Sequence, residues 1–257
     1  IEGGHCRVSD APAPFQAMVK RQRSAGRRGF VSTALRWLIM AALLLLLLLL
    51  AVILLFRWVP LPTSSVMLQQ SYAAWQDPRR HRDVRYWWLD WEKIPGEAAL
   101  AVIAAEDQRF PDHWGLDLHE LRLAIAQRGA RGASTITQQV AKNLFLWSGR
   151  SYTRKALEAG IALLLEALWP KQRILEVYLN IAQFGDGIYG LNAASRKFFY
   201  RDAHKLTASQ CALLAAVLPN PVLYRVDRPS SRVRRSQRWI LQQMRQLGGV
   251  SYLDRLQ

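Results

Sequence analysis

From position 37 to 56 the chain reads WLIMAALLLLLLLLAVILLF, twenty residues without a charge or a strongly polar side chain. At about 1.5 Å rise per residue, a helix over this run is about 30 Å long, the thickness of a bilayer's hydrocarbon core. Secretory signal peptides have a shorter apolar core and a small-residue cleavage site; this run goes straight into Arg57, Trp58 and a Pro60-Leu-Pro62 stop. An uncleaved anchor is therefore expected. Arg7, Lys20, Arg21, Arg23, Arg27, Arg28 and Arg36 precede the run, opposed only by Glu2 and Asp10, so the amino terminus is expected in the cytoplasm. The chain then divides into a basic cytoplasmic tail (1–36), a transmembrane anchor (37–56) and a domain outside the cytoplasm (57–257). The bacterial inner membrane, with that domain in the periplasm, is the expected location. The sequence opens Ile-Glu-Gly-Gly rather than with Met, so its first residues are left out of the fold reasoning.

The outer segment keeps 28 of the 35 basic residues and 17 of the 19 acidic ones, a net charge of +11. Basic domains suit anionic partners. Nucleic acid is demoted by topology, leaving lipid headgroups, phosphorylated lipids and wall polymers. Cys6 and Cys211 fall on opposite sides of the anchor, so no bridge joins them, and Cys211 reads as a small buried apolar residue.

Three- and four-residue spacing of apolar side chains predicts helices from residue 97 onward, with Ala99, Val102, Ile103, Glu106 and Phe110 on one face. Further helices are expected over 116–127, 135–146, 153–168, 171–182, 188–199, 208–218 and 231–247, with Pro170 and Pro219 as breaks. Residues 60–77 read as a connector and a short amphipathic helix. The aromatic stretch 84–91, VRYWWLDW, reads as core aromatics in preference to an extended piece or part of an interfacial belt. No period-two run is long enough for a sheet, so the outer domain is expected to be mainly α.

Glu106 stands where a helix gives way to a loop marked by Pro111 and Gly115. Partial burial raises a carboxyl pKa, and such a group can take a proton from a sugar hydroxyl as a general base. The structural alternative is a helix-end acid paired with Arg109 or capped by His113. From 121 to 157 there is no Asp or Glu, while Arg122, Arg128, Arg131, Lys142, Arg150, Arg154 and Lys155 all occur. Either an anion binds there or a basic helix face is simply solvated. Within that stretch, Thr135 and Gln138 have the spacing of a capping box at a helix start able to hold phosphate oxygens. Glu158 ends the stretch, as an ion-pair partner of Arg154 and Lys155 or as a ligand for a divalent ion bridging to phosphate. Paired-cysteine metal patterns, HExxH, GxSxG and GxxxxGKS/T are missing from the sequence, so carboxylates and cations are expected to do the chemistry.

Five blocks occur in order: Glu106-Asp-Gln-Arg-Phe110 with His113 and Gly115; Gly132 to Asn143; Arg154-Lys155 with Glu158; KQRILEVYLN from Lys171, leading to Phe184-Gly-Asp-Gly-Ile-Tyr-Gly190; and Arg234-Arg235 with Trp239-Ile-Leu241. Together they resemble the peptidoglycan glycosyltransferases of glycosyltransferase family 51, of the monofunctional kind, over about residues 60–249. A short segment between Ala126 and Gly132 departs from the family pattern. The resemblance implies a lysozyme-like helical glycosyltransferase domain with one N-terminal transmembrane helix. Its implied reaction is polymerisation of lipid II onto a growing glycan strand, with inversion and loss of undecaprenyl pyrophosphate. Glu106 would be the base, and Lys142, Arg150, Arg154 and Lys155 would neutralise the leaving group. Ser134, Gln138, Gln139 and Asn143 would contact pyrophosphate or sugar, while Asp107, Phe110 and His113 would shape the cleft. Glu158 would position the cations or help hold Mg2+ or Mn2+; no organic cofactor is expected. Glu176 and Asn180 read as architectural, and Trp239 and Leu241 as helix core. Membrane lipid and cell-division or elongation proteins are expected as partners, and nucleic acid is not. With no SxxK or KTG, acyl-serine cross-linking is not expected of this chain. Two other readings stand beside it: a lysozyme-like enzyme that cleaves peptidoglycan with a lone Glu and no pyrophosphate to neutralise, and a non-catalytic anchored scaffold for wall assembly that would need no Glu106.

Overall fold

The computed structural model describes residues 13–77, 79, 83–120, 122, 134–149 and 151–256, with backbone alone over 13–32 and at 34. The chain divides into two compact units, 1–54 and 55–257. The first is built on α1 (Ala13–Phe56), in which Leu35–Phe56 has a mean hydropathy of 3.5 and is long enough to cross a membrane. Its leucines face outward, Leu38 being 68% exposed, as expected for a helix whose solvent is lipid.

The second unit is helical. Ser64 caps α2 (Ser65–Gln76) by accepting from the Met67 amide. At the centre lies α3 (Gly96–Glu106), where every residue from Ala98 to Ala104 is buried. Its apolar side chains were expected on one face. Alanines at 98, 99, 101 and 104 instead let neighbours approach from all sides, chiefly α8 (Ala208–Val217), α9 (Ser231–Gln246) and the 3-10 turns of Gly249–Leu256. The expected 97–110 face thus becomes a helix buried all round from Ala98 to Ala104 that ends at its carboxylate.

Against this core packs a second layer of α4 (Ile136–Phe145), α5 (Tyr152–Leu168) and α6 (Lys171–Ile181), with α4 touching both of its neighbours. The capping box read from Thr135 and Gln138 is present: Thr135 Oγ1 accepts from the Gln138 amide and Gln138 Oε1 from the Thr135 amide. Half of the helix expected over 116–127 lies outside the described residues.

Three expectations are corrected. The helix expected from 188 begins only at Leu191 as α7 (Leu191–Phe199), because Ile188–Tyr189 (β2) pairs antiparallel with Gln183–Gly185 (β1). Gly187 and Gly190 have φ of 71° and 80°, a left-handed backbone that reverses the chain, and a Cβ at Gly190 would lie 2.5 Å from the Asn180 carbonyl oxygen. The aromatic stretch 84–91 is extended but buries only Leu89, with Trp87 half exposed, so it is not a cluster of core aromatics. Finally, Trp239 is 47% exposed: the buried stripe of α9 is Val233, Gln237, Ile240 and Met244, which puts Trp239 outside it. Cys211 is buried as expected, and burial pushes its thiol pKa up to about 12.

Candidate active site

The end of α3 and the start of α4 are joined by adjacent carboxylates. Asp107, just past the helix end, accepts from the Ile136 amide at 3.0 Å and from His113 Nε2 at 2.9 Å. It thus places negative charge on unpaired backbone donors at a helix N-terminus. One turn further along α4, Gln139 Nε2 donates to Glu106 Oε2 at 2.7 Å. Gln139 Oε1 accepts in turn from the Tyr178 hydroxyl of α6 at 3.2 Å. Glu106 is therefore paired with neither Arg109, which lies 3.5 Å from Asp117, nor His113, which is engaged by Asp107. Burial raises the Glu106 pKa; the Gln139 hydrogen bond and then the Lys142 charge pull it back.

A second buried tie holds the same junction. Glu166 accepts from Thr137 Oγ1 and, at 2.8 Å, from Lys171 Nζ, which also donates to the His113 carbonyl at 2.6 Å. Lys171 lies 4.5 Å from the ring centre of the fully buried Phe110. Phe110 and His113 are thus buried beside the junction, His113 holding Asp107 and Phe110 lying under Lys171.

In front of Gln139 opens a cleft of about 520 Å³ lined by Lys142, Asn143, Arg154 and Tyr178. Glu106 meets it one hydrogen bond behind Gln139. Arg154 and Lys155, on the first turn of α5, grip the two oxygens of Glu158 at 3.0 and 2.5 Å, and Lys155 also donates to Ser134 Oγ at 2.9 Å. Arg154 Nε is buried with no hydrogen-bond partner among the described residues, a donor unspent at the cleft wall. Burial lowers the Lys142 pKa; Glu158 opposes that, and Arg154 and Lys155 add to it. Three cations around one carboxylate leave a local excess of positive charge beside Glu106.

The expected site residues thus sort by position. Gln139, Lys142, Asn143 and Arg154 line this cleft, Glu106 is bonded to Gln139, Glu158 is paired with Arg154 and Lys155, and Ser134 is bonded to Lys155. Gln138 does not face it: the residue is 5% exposed and its carbonyl oxygen is held by the cap. Arg150 lies outside the described residues, as does the segment from Ala126 to Gly132. The residues around Glu158 do not fit a resident Mg2+ or Mn2+. Both carboxylate oxygens are already held by cations, and no group of three His, Cys, Asp or Glu side chains among the described residues could hold a metal. Glu176 and Asn180 clamp the aromatic strand: Asn180 exchanges two hydrogen bonds with the Leu89 backbone, at 2.7 and 2.8 Å, and Glu176 accepts from the Trp91 amide. Tyr178, whose hydroxyl holds Gln139, is a site residue that sequence reasoning does not single out. It is buried like its neighbours, and nothing in its spacing separates a core tyrosine from one whose hydroxyl holds Gln139.

The chain is 49% identical over 235 residues to the biosynthetic peptidoglycan transglycosylase of Pectobacterium carotovorum subsp. carotovorum, covering 90% of this chain and 96% of the relative. It is 50% identical over 223 residues to the protein of that name from Klebsiella oxytoca, covering 85% and 92%. The protein of the same name from Cronobacter sakazakii is 50% identical over 235 residues, covering 88% and 96%. Residues 73–245, which run from α2 through the Glu106 junction and the cation-lined cleft almost to the end of α9, match the transglycosylase family, and the chain belongs to it.

Proposed function

We propose that the cleft polymerises lipid II into glycan strands by inverting transfer, with Glu106 as general base and Lys142, Arg154 and Lys155 as the leaving-group site. The GlcNAc 4-hydroxyl of the incoming lipid II attacks the anomeric carbon at the lipid end of the growing strand. As the new C–O bond forms, the hydroxyl proton passes to Glu106 Oε and the bond from that carbon to the undecaprenyl pyrophosphate oxygen breaks, turning α to β. Diphosphate leaves already ionised, so it needs charge neutralisation more than a proton, and fixed cations in a partly dry cleft supply that. Burial gives Glu106 the basicity to accept the proton, and Gln139 keeps its carboxylate aimed.

The observation that carries this reading is the half-buried Glu106 held one side chain from a cleft lined by Lys142 and Arg154, with Lys155 joined to Arg154 through Glu158. A lipid-borne substrate also gives the apolar helix a purpose: α1 tethers the cleft to the membrane that holds the substrate, with the amino terminus inside and the catalytic domain outside. Incubation of the purified protein with lipid II as sole substrate tests the reaction. Lengthening glycan is expected. A protein that leaves lipid II untouched but shortens preformed glycan would be a hydrolase or lyase and would overturn the reading.

A further inference from the structure

The Gly185-Asp186-Gly187 turn has no part in this chemistry, yet its ribbon walls a second concavity of about 570 Å³. Gln183 and Tyr189 line the catalytic cleft, whereas Gly185 and Ile188 line the second, and Pro221 borders both. Two residues along a strand is about 7 Å, so the two spaces are neighbours. Their chemistry differs. The cleft wall is cationic, while the second concavity carries both signs: Arg85 and Lys197 against Asp83 and Asp186, with Arg225 tied to Asp227 at 2.7 Å. Among the described residues no ion pair engages Arg85 or Lys197, and both are exposed.

A diphosphate would be repelled by the two carboxylates, and a neutral sugar would make no use of the cations. A short peptide with free carboxylates and amide or amine donors suits both signs. The substrate carries such a peptide on its disaccharide, and five extended residues reach about 17 Å, more than enough to leave the cleft and enter the second space. We propose that this concavity is a subsite for the peptide stem of the lipid-linked disaccharide, with Arg85 and Lys197 taking its carboxylates. The inference rests on the cleft being a lipid II polymerase site. Arg85 joins the ribbon through its backbone, donating to the Gly187 carbonyl at 2.8 Å and accepting from the Tyr189 amide at 3.0 Å, so truncating its side chain leaves the ribbon bonded.

The test is a double variant, Arg85→Ala with Lys197→Ala, assayed on two substrates: lipid II with its pentapeptide, and the same lipid-linked disaccharide with the stem removed. Two exposed ion pairs are expected to lower kcat/KM on the stem-bearing substrate about fivefold, leaving the stemless substrate unchanged. In the wild type, added salt is expected to narrow the preference for the stem-bearing substrate. Equal losses on both substrates, or no loss on either, would overturn the subsite. Failure of the wild type to polymerise either substrate would instead overturn the polymerase reading on which the subsite depends.

Discussion

Removing one buried hydroxyl, in Tyr178→Phe, probes how Glu106 is held. Tyr178 is 1% exposed. Burial, then the charges of Glu106 and Asp107, raises its phenol well above the ordinary value, so it remains a donor throughout the working pH range. Its bond to Gln139 Oε1 decides which end of that amide meets Glu106. A hydrogen bond to an ionised carboxylate contributes about 1.5–3 kcal/mol, so losing it entirely would raise the Glu106 pKa by about one to two units. A looser Gln139 that keeps half the bond gives a rise of about 0.5–1 unit. A base works only when ionised, so the acid limb of kcat/KM moves to higher pH by that amount while the plateau rate stays within a few-fold. Initial rates of lipid II polymerisation across about pH 4–9 read this directly. A thermal melt is the control, since the lost hydroxyl costs only about 1 kcal/mol of stability. An acid limb that does not move, or a rate that falls equally at every pH, would refute the holding role.

Lys142→Ala should lower kcat about a hundredfold, as loss of one preorganised charge does elsewhere. Burial lowers the Lys142 pKa, so the wild-type alkaline limb should lie below the ordinary lysine value of 10.5, and this variant should lose it. Glu158→Gln should cost about 3 kcal/mol in urea denaturation by stranding the Arg154 guanidinium, whose side chain is 12% exposed. If Glu158 is an ion-pair partner and not a metal ligand, wild type and variant should take up equally little Mn2+ in the absence of substrate, as read by paramagnetic resonance. Asn180→Ala should cost about 2–4 kcal/mol by leaving the Leu89 backbone pair unsatisfied, with melting temperature falling before substrate affinity changes.

The readable part of this molecule was the part written in local chemistry. The capping box at Thr135, the breaks at Pro170 and Pro219 and the Glu158 ion pairs each depend on neighbours within four residues, and spacing exposes those. What spacing could not give was contact between distant segments. Gln139 meets Glu106 across 33 positions and Tyr178 across 39, so neither bond leaves a trace in the local pattern. The pattern misplaced Gln138 for a related reason: its amide could serve a helix cap or a substrate, and the cap, only three residues away, takes it. Trp239 was misassigned because the stripe of α9 was put one position off, a rotation of about 100° on a helix. Residues 188–189 were misread because a two-stranded ribbon is too short to show alternation.

The central claim is that one carboxylate, Glu106, removes the acceptor's proton beside fixed cations that receive the departing diphosphate. Glu106→Gln tests it most directly, keeping the size and a hydrogen-bond acceptor for Gln139 while removing the basic charge. The variant should polymerise lipid II at least about a hundredfold more slowly, the range lost with a general base, while melting within a few degrees of wild type and binding lipid II as tightly. Polymerisation within a few-fold of wild type would show that the proton goes elsewhere.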